Sequence, residues 1–349
     1  MLATTSTLST SVATLEVTSR DTLLSEFIQQ SGFAEHTIEP LAGDASFRRY
    51  VRVLTPQTSY IVMDSPPDKL PVRPFVEVCD YLSKQGHSAP RIVALDEELG
   101  FLLLEDLGDD LFNSVLADEK TGESDKEKEL YNEAIELLIK WHQSEAFLKD
   151  TSGLAINSYT FDEYMRELKL FTDWYLPEIE NSEAIFHSQE FLGIWSDILH
   201  DTPLGHCYFV HRDFHADNLL WLADRDDTKR VGLLDFQDAL WGDPSYDLVS
   251  LLEDARRDVD PALAEEMKQL YVERSGQPKE LFEARYAIMG AQRNLKIIGI
   301  FMRLNKRDGK PGYLDYLPRV WNHLEKSLAH PALAKLKIWL DTYVPPHLR

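Results

Sequence analysis

Val210-His211-Arg212-Asp213-Phe214-His215-Ala216-Asp217-Asn218-Leu219-Leu220-Trp221 and, after a charged connection, Val231-Gly232-Leu233-Leu234-Asp235-Phe236-Gln237-Asp238 are two polar clusters, each framed by apolar residues. Apolar runs on both sides predict that each cluster sits at a strand end, where a rigid scaffold fixes the separation of side chains. The connection over 223–230 carries six charged side chains between the runs and suits a hairpin turn.

The spacing of Asp213, Asn218 and Asp235 meets the needs of phosphoryl transfer. One carboxylate accepts the proton of an attacking hydroxyl, while an amide oxygen and a second carboxylate are hard ligands for the magnesium ions that bridge nucleotide phosphates. His211-Arg212-Asp213 with Asn218 five residues past the aspartate fits the H-R-D-x-x-x-x-N loop of kinases, and Asp235-Phe236 stands where D-F-G would follow. The two halves together are far more specific than either alone. Asp and Asn also gather in turns for purely local reasons. A different chemistry is open as well, because His206, His211, Asp213, His215 and Asp217 form a plausible ligand set for a metal-dependent hydrolase.

The Asp213 loop, Leu234-Asp235-Phe236 and Trp241-Gly242-Asp243-Pro244-Ser245-Tyr246-Asp247-Leu248 resemble the aminoglycoside phosphotransferase and choline kinase family of small-molecule kinases. That family commonly lacks the D-F-G glycine, so Gln237 is no objection. Within it, the segments 235–239 and 250–252, Gln292-Arg293-Asn294-Leu295-Lys296 to Arg303-Leu304, and 307–311 resemble the anomeric kinases of bacterial cell-wall recycling, which phosphorylate C1 of N-acetylmuramate and N-acetylglucosamine. The resemblance spans nearly all of the chain after the first twenty residues. It implies a two-lobed, protein-kinase-like α+β fold with ATP and Mg2+ as cofactors. It also implies Asp213 as catalytic base, Asn218 and Asp235 as metal ligands, and an aspartate at Asp247 that holds the catalytic loop, with His211 beside it.

Length and composition agree with two lobes. At 349 residues the chain is too long for one small domain. A formal net charge of −23, from 36 basic and 59 acidic residues, argues against a nucleic-acid or anionic-membrane partner. Cys79 and Cys207 are far apart and belong to no C-x-x-C pair, which fits two reduced, packed thiols in a cytoplasmic protein. No basic head with an apolar core opens the chain, and the longest apolar runs are too short for a bilayer.

In chain order, residues 1–19 read as a mobile tail rich in Ser and Thr. A nucleotide-binding lobe over 20–104 follows, then a hinge over 105–110, then a catalytic and substrate-binding lobe over 111–349. In the first lobe a helix begins near Arg20, strands run through 38–54 and 60–64, and the turn over 41–47 suits phosphate oxygens, with Ser46 as a hydroxyl donor. An ordinary hairpin turn explains the same residues. The strand that should end in V-A-I-K reads Tyr60-Ile61-Val62-Met63-Asp64, without the phosphate-gripping lysine. Arg48 or Arg49 is the expected substitute, and strand alternation lets only one of them face the nucleotide. A helix after Pro74 carries Glu77, and strands follow near 92–95 and 101–104. Glu105 and Leu107 are the adenine-contacting hinge candidates, on resemblance.

Beyond the hinge, Leu130, Ala134, Leu137, Leu138 and Trp141 recur at helical spacing, so this helix buries one face. His142 and the aromatics Phe161, Tyr164, Phe171, Trp174 and Tyr175 read as packing residues. Asp243-Pro244 predicts an N-cap and a first-turn proline. Residues 291–310 hold Arg293, Lys296, Arg303, Lys306, Arg307 and Lys310 against the single acid Asp308. Such an excess suits an anionic sugar substrate, with Arg293, Asn294, Lys296 and Arg303 as candidates; a solvated helix face is the alternative. The expected activity is ATP-dependent phosphorylation of the C1 hydroxyl of an amino sugar, by a monomer with no nucleic-acid or membrane partner. Competing readings are a kinase acting on an aminoglycoside, choline or homoserine, and a non-catalytic kinase-like binding protein.

Overall fold

The computed structural model describes residues 19–41, 47–118 and 124–349. By its internal contacts the chain divides into a smaller unit, Met1–Pro71 with Val93–Leu104, and a larger one, Val72–Ile92 with Glu105–Arg349. The chain enters the larger unit at Val72, leaves it at Val93 and re-enters it at Glu105.

The smaller unit opens with helix α1 (Arg20–Gln30), capped by the Ser19 hydroxyl on the Thr22 N–H. Strands β1 (Thr37–Pro40), β2 (Arg49–Leu54), β3 (Ser59–Asp64), β4 (Ile92–Asp96) and β5 (Phe101–Glu105) form a sheet in the order β1-β2-β3-β5-β4. Alternation along β2 turns Val51 and Val53 inward, where they meet Val62, Phe101 and Leu103 under Leu24, Phe27 and Ile28 of α1. Register places Arg49 opposite Asp64. The Arg49 guanidinium lies 2.8 Å from the buried Asp64 carboxylate and 2.6 Å from Asp21. Arg20 donates to the other Asp64 oxygen at 2.7 Å, so this acid stitches α1 to the sheet.

Helix α2 (Arg73–Lys84) belongs to the larger unit, where Phe75 packs on Phe236 at 4.9 Å between ring centroids. Its Glu77 pairs with Arg73 one turn back on an exposed face, an arrangement worth a few tenths of a kcal/mol. The chain continues through α3 (Phe112–Asp118), α4 (Ser124–Gln143), α5 (Phe161–Leu170), α6 (Ser182–Phe186) and α7 (Ser188–Asp201). Next come four three-residue strands, β6 (Tyr208–Val210), β7 (Leu219–Trp221), β8 (Val231–Leu233) and β9 (Leu240–Gly242). Helices α8 (Ser245–Leu252), α9 (Pro261–Ser275), α10 (Lys279–Asp308), α11 (Leu317–Leu328) and α12 (Ala334–Tyr343) complete it.

The apolar stripe of α4 is buried throughout, and His142 accepts or donates at 2.6 Å to the Tyr271 hydroxyl in that interior. Tyr164, Phe171 and Tyr175 are core residues, while Phe161 is exposed. Helix α10 runs through the centre of the larger core against α5, α8 and α11. At Gly299 a Cβ would collide with the Leu170 carbonyl and the Phe171 nitrogen. There α5 gives way to a π-helical turn, Phe171–Tyr175, and the two backbones touch because no side chain keeps them apart. No helix among the described residues is long and apolar enough to cross a membrane.

Candidate active site

Two antiparallel pairs, β6 with β9 and β7 with β8, frame the polar clusters. The 211–218 loop leaves β6 and enters β7; the 234–239 loop leaves β8 and enters β9. Register sets Leu219 against Leu233, so Asn218 and Leu234 close the end of that ladder, and the Leu234 N–H donates to the Asn218 carbonyl at 3.0 Å. The Asn218 side-chain amide donates to the Asp213 carbonyl at 2.9 Å. These bonds tie the 211–218 loop to the start of the 234–239 loop, although 22 residues separate Asp213 from Asp235; of the three, Asp213 lines the pocket described below. Among the described residues no group of three His, Cys, Asp or Glu side chains is arranged to hold a metal ion; the hydrolase ligand set does not assemble.

Backbone conformation at this site departs from the ordinary. Arg212 (φ 80°) and Asp235 (φ 59°) are both left-handed non-glycine residues, each costing on the order of 1–2 kcal/mol. Specific contacts offset that cost. The fully buried Asp247 carboxylate, on α8, accepts from the N–H of His211 at 2.6 Å and of Arg212 at 2.8 Å. Gln237, in the position of a D-F-G glycine, donates to Asp235 Oδ1 at 2.6 Å. His211 is enclosed edge-on by Phe214 and Phe236, and burial lowers its pKa to about 4, leaving it neutral. Asp243 stands one residue outside the expected cap position: Pro244 is the N-cap, and the Asp243 carboxylate accepts from the Ser245 N–H at 3.0 Å and from the Gly205 N–H at 2.7 Å.

Asp213 opens into a pocket of about 300 Å³ lined by Arg166, Glu167, Leu170, Arg212, His215, Asp238, Asp254, Ala255, Arg256, Arg293, Lys296, Ile297, Ile300, Phe301 and Arg303. Six of these are cations and four, counting Asp213, are acids, in a protein whose net charge is strongly negative. Desolvation pushes the Asp213 carboxyl up, but the charges of Lys296, His215, Arg212 and Arg293 outweigh it and hold its pKa below the ordinary aspartate value. Asp213 is thus ionised at neutral pH.

Of the α10 candidates, Arg293, Lys296 and Arg303 line the pocket and Asn294 does not. One helical step turns Asn294 through about 100°, where its amide donates to Glu253 at 2.9 Å inside the core. Lys306 and Arg307 are instead surface residues paired with Glu178 and Asp308. Glu105 accepts from the Arg91 N–H at 3.1 Å and from Arg225 at 2.9 Å; Leu107 is half-buried in the following link. Arg48 immediately precedes β2, and Ser46 lies outside the described residues.

The centre of the pocket's charge network is Glu167 on α5, which the sequence alone did not single out. Its buried carboxylate accepts from Arg212, from Tyr159, from Gln292 at 3.0 Å and from Lys296 at 3.3 Å, while Lys296 also donates to Tyr246 at 2.7 Å. Burial works against ionisation, but Lys296 and Arg212 prevail and bring the Glu167 pKa down to about 2. A fixed anion between two cations keeps both aimed along the wall that holds Asp213. Also lining the pocket, Asp254 accepts from the Ala216 and Arg256 N–H groups, and Arg256 approaches His215 at 3.2 Å.

The family model described as "phosphotransferase enzyme family" matches residues 37–281. The chain belongs to that family. It is accordingly an enzyme, a phosphotransferase with an alcohol group as acceptor, and the non-catalytic reading falls. Among its relatives are N-acetylmuramate/N-acetylglucosamine kinases of Caulobacter vibrioides and Pseudomonas aeruginosa. They are 36% and 39% identical, over 95% and 90% of this chain and 98% and 92% of theirs. Among solved structures, choline kinase from Streptococcus pneumoniae superposes with a TM-score of 0.59 at 15% identity, over 88% of this chain and 99% of that one. An ADP-bound aminoglycoside phosphotransferase gives 0.57 at 15% identity, over 87% and 98%. At such identities the likeness is one of fold, which is the expected two-lobed α+β kinase-like one.

Proposed function

We propose that the enzyme is a cytoplasmic sugar kinase that transfers the γ-phosphoryl group of ATP to the anomeric C1 hydroxyl of N-acetylmuramate and N-acetylglucosamine, in the recycling of peptidoglycan. The observation that carries this reading is the cation-rich pocket into which Asp213 opens, taken with relatives named for these two sugars. A polycationic aminoglycoside or the quaternary ammonium of choline would meet Arg293, Lys296 and Arg303 as like charges.

Asp213 orients the acceptor hydroxyl and takes its proton as the bond to phosphorus forms. In a loose transition state the proton leaves late, so a carboxylate of low pKa suffices and its main work is positioning. Asp247 fixes the loop that carries Asp213, and Glu167 keeps Lys296 and Arg212 from collapsing onto it. Asn218 and Asp235 carry hard amide and carboxylate oxygens, the Asn218 amide oriented by its nitrogen's bond to the Asp213 carbonyl and the Asp235 carboxylate by Gln237. They suit Mg2+, which keeps several waters and needs few protein ligands. When bound, the ion neutralises charge on the transferring phosphates. Arg48 or Arg49 and a hydroxyl at Ser46 would contact the nucleotide phosphates, and Glu105 and Leu107 its base.

Phosphorus NMR of the product made from ATP and each sugar tests the reading. A sugar 1-phosphate that disappears in Asp213→Ala is the expected result. Equal turnover of unrelated alcohols, or phosphate on another hydroxyl, would refute it.

A further inference from the structure

Along α10 the pocket-lining residues Arg293, Lys296, Ile297, Ile300 and Arg303 fall on one face at three- and four-residue steps. Charge compensation changes along that face. At the inner end Lys296 is held by Glu167 and Tyr246, and Arg293 donates to Ser250 at 2.8 Å. At the outer end the neighbouring cations of the same turn are already spent, Lys306 on Glu178 and Arg307 on Asp308. Arg303 differs: among the described residues its Nε is buried without a hydrogen-bond partner. Desolvation, with the like charges of Arg307 and Arg166, outweighs the attraction of Asp308 and pulls its pKa below the ordinary value, so an added anion would relieve an incompletely compensated charge. Ile297, Ile300 and Phe301 line the stretch between the two ends.

We propose that α10 works as a ruler on which Arg303 receives a carboxylate carried by the acceptor, set apart from the hydroxyl that faces Asp213. The inference rests on the sugar-kinase reading above and adds to it the group that separates the two sugars. Seven residues from Lys296 to Arg303 span about 10 Å of helix. An arginine side chain reaching back over part of that span meets a lactyl carboxylate on the C3 oxygen while C1 remains at Asp213. Ile297, Ile300 and Phe301 then face methyl groups rather than hydroxyls. N-acetylglucosamine, which lacks the carboxylate, leaves Arg303 without its ligand.

The test is the ratio of kcat/KM for N-acetylmuramate to that for N-acetylglucosamine, in the full-length wild type, Arg303→Gln, Arg303→Lys and Arg293→Gln. Arg303→Gln is expected to lower the ratio by roughly ten- to a hundredfold, the scale of one charge-assisted bidentate contact, chiefly through KM. Arg303→Lys restores part of it, because a point charge replaces the planar fork. Arg293→Gln, at the reacting end, lowers both sugars together and leaves the ratio within about threefold. A ratio unmoved by Arg303→Gln, or moved by Arg293→Gln instead, overturns the ruler while leaving the sugar kinase intact. A wild type that turns over neither sugar overturns both.

Discussion

Replacing Glu167 by glutamine keeps the side chain's shape and removes an acid that both Arg212 and Lys296 touch. The magnitude follows from the carboxyl's shift from 4.5 to about 2, which corresponds to about 3 kcal/mol. Leaving buried cations short of their counter-charge costs a similar amount, about 3–5 kcal/mol. Because the folded-state pKa is depressed, this contribution is fully present above the unfolded value and is lost as pH falls through 4.5 towards 2. All seven tryptophans lie in the larger unit, so their fluorescence reports the melting of the part that contains Glu167. Glu167→Gln should lower that transition by roughly 6–12 °C at neutral pH, and the gap between wild type and variant should narrow between pH 5 and pH 3. A variant that melts within about 1 °C of the wild type, or a gap independent of pH over that window, would refute the clamp.

Asp213→Ala should reduce kcat by roughly 10²–10⁴ while calorimetry finds nucleotide affinity little changed; a parallel loss of ADP binding would move Asp213 out of the acceptor site. Asp247→Ala strands the N–H groups of His211 and Arg212, a cost of roughly 2–6 kcal/mol, readable as a lowered urea midpoint with faster hydrogen exchange at those two amides. Gly299→Ala forces α10 off the Leu170–Phe171 backbone and should destabilise by about 1–3 kcal/mol or more. Soluble Gly299→Ala protein with unchanged melting would show that the helices have slack there.

The clusters at 211–218 and 235–238 were legible because each is local in sequence and its role depends on spacing within one loop. The fold class was legible through the family resemblance that those clusters carry, and the 3.6-residue stripe of α4 agrees with it as another short-range pattern. Glu167 was not, since its partners Arg212, Gln292 and Lys296 lie 45, 125 and 129 residues away and nothing around it marks it among 59 acids. Asn294 was grouped with Arg293 by adjacency, which a helix undoes at once. The left-handed conformations of Arg212 and Asp235 also leave no compositional mark, because neither residue is a glycine.

The contact at Gly299 bears on how such an enzyme could change its diet. Main chain rather than packed side chains determines how far α5 stands from α10 beside the pocket-lining residues Leu170 and Ile300. Substitutions along the facing walls can therefore retune which molecules enter without widening the slot. A bulkier residue at position 299 would instead alter every acceptor's fit at once.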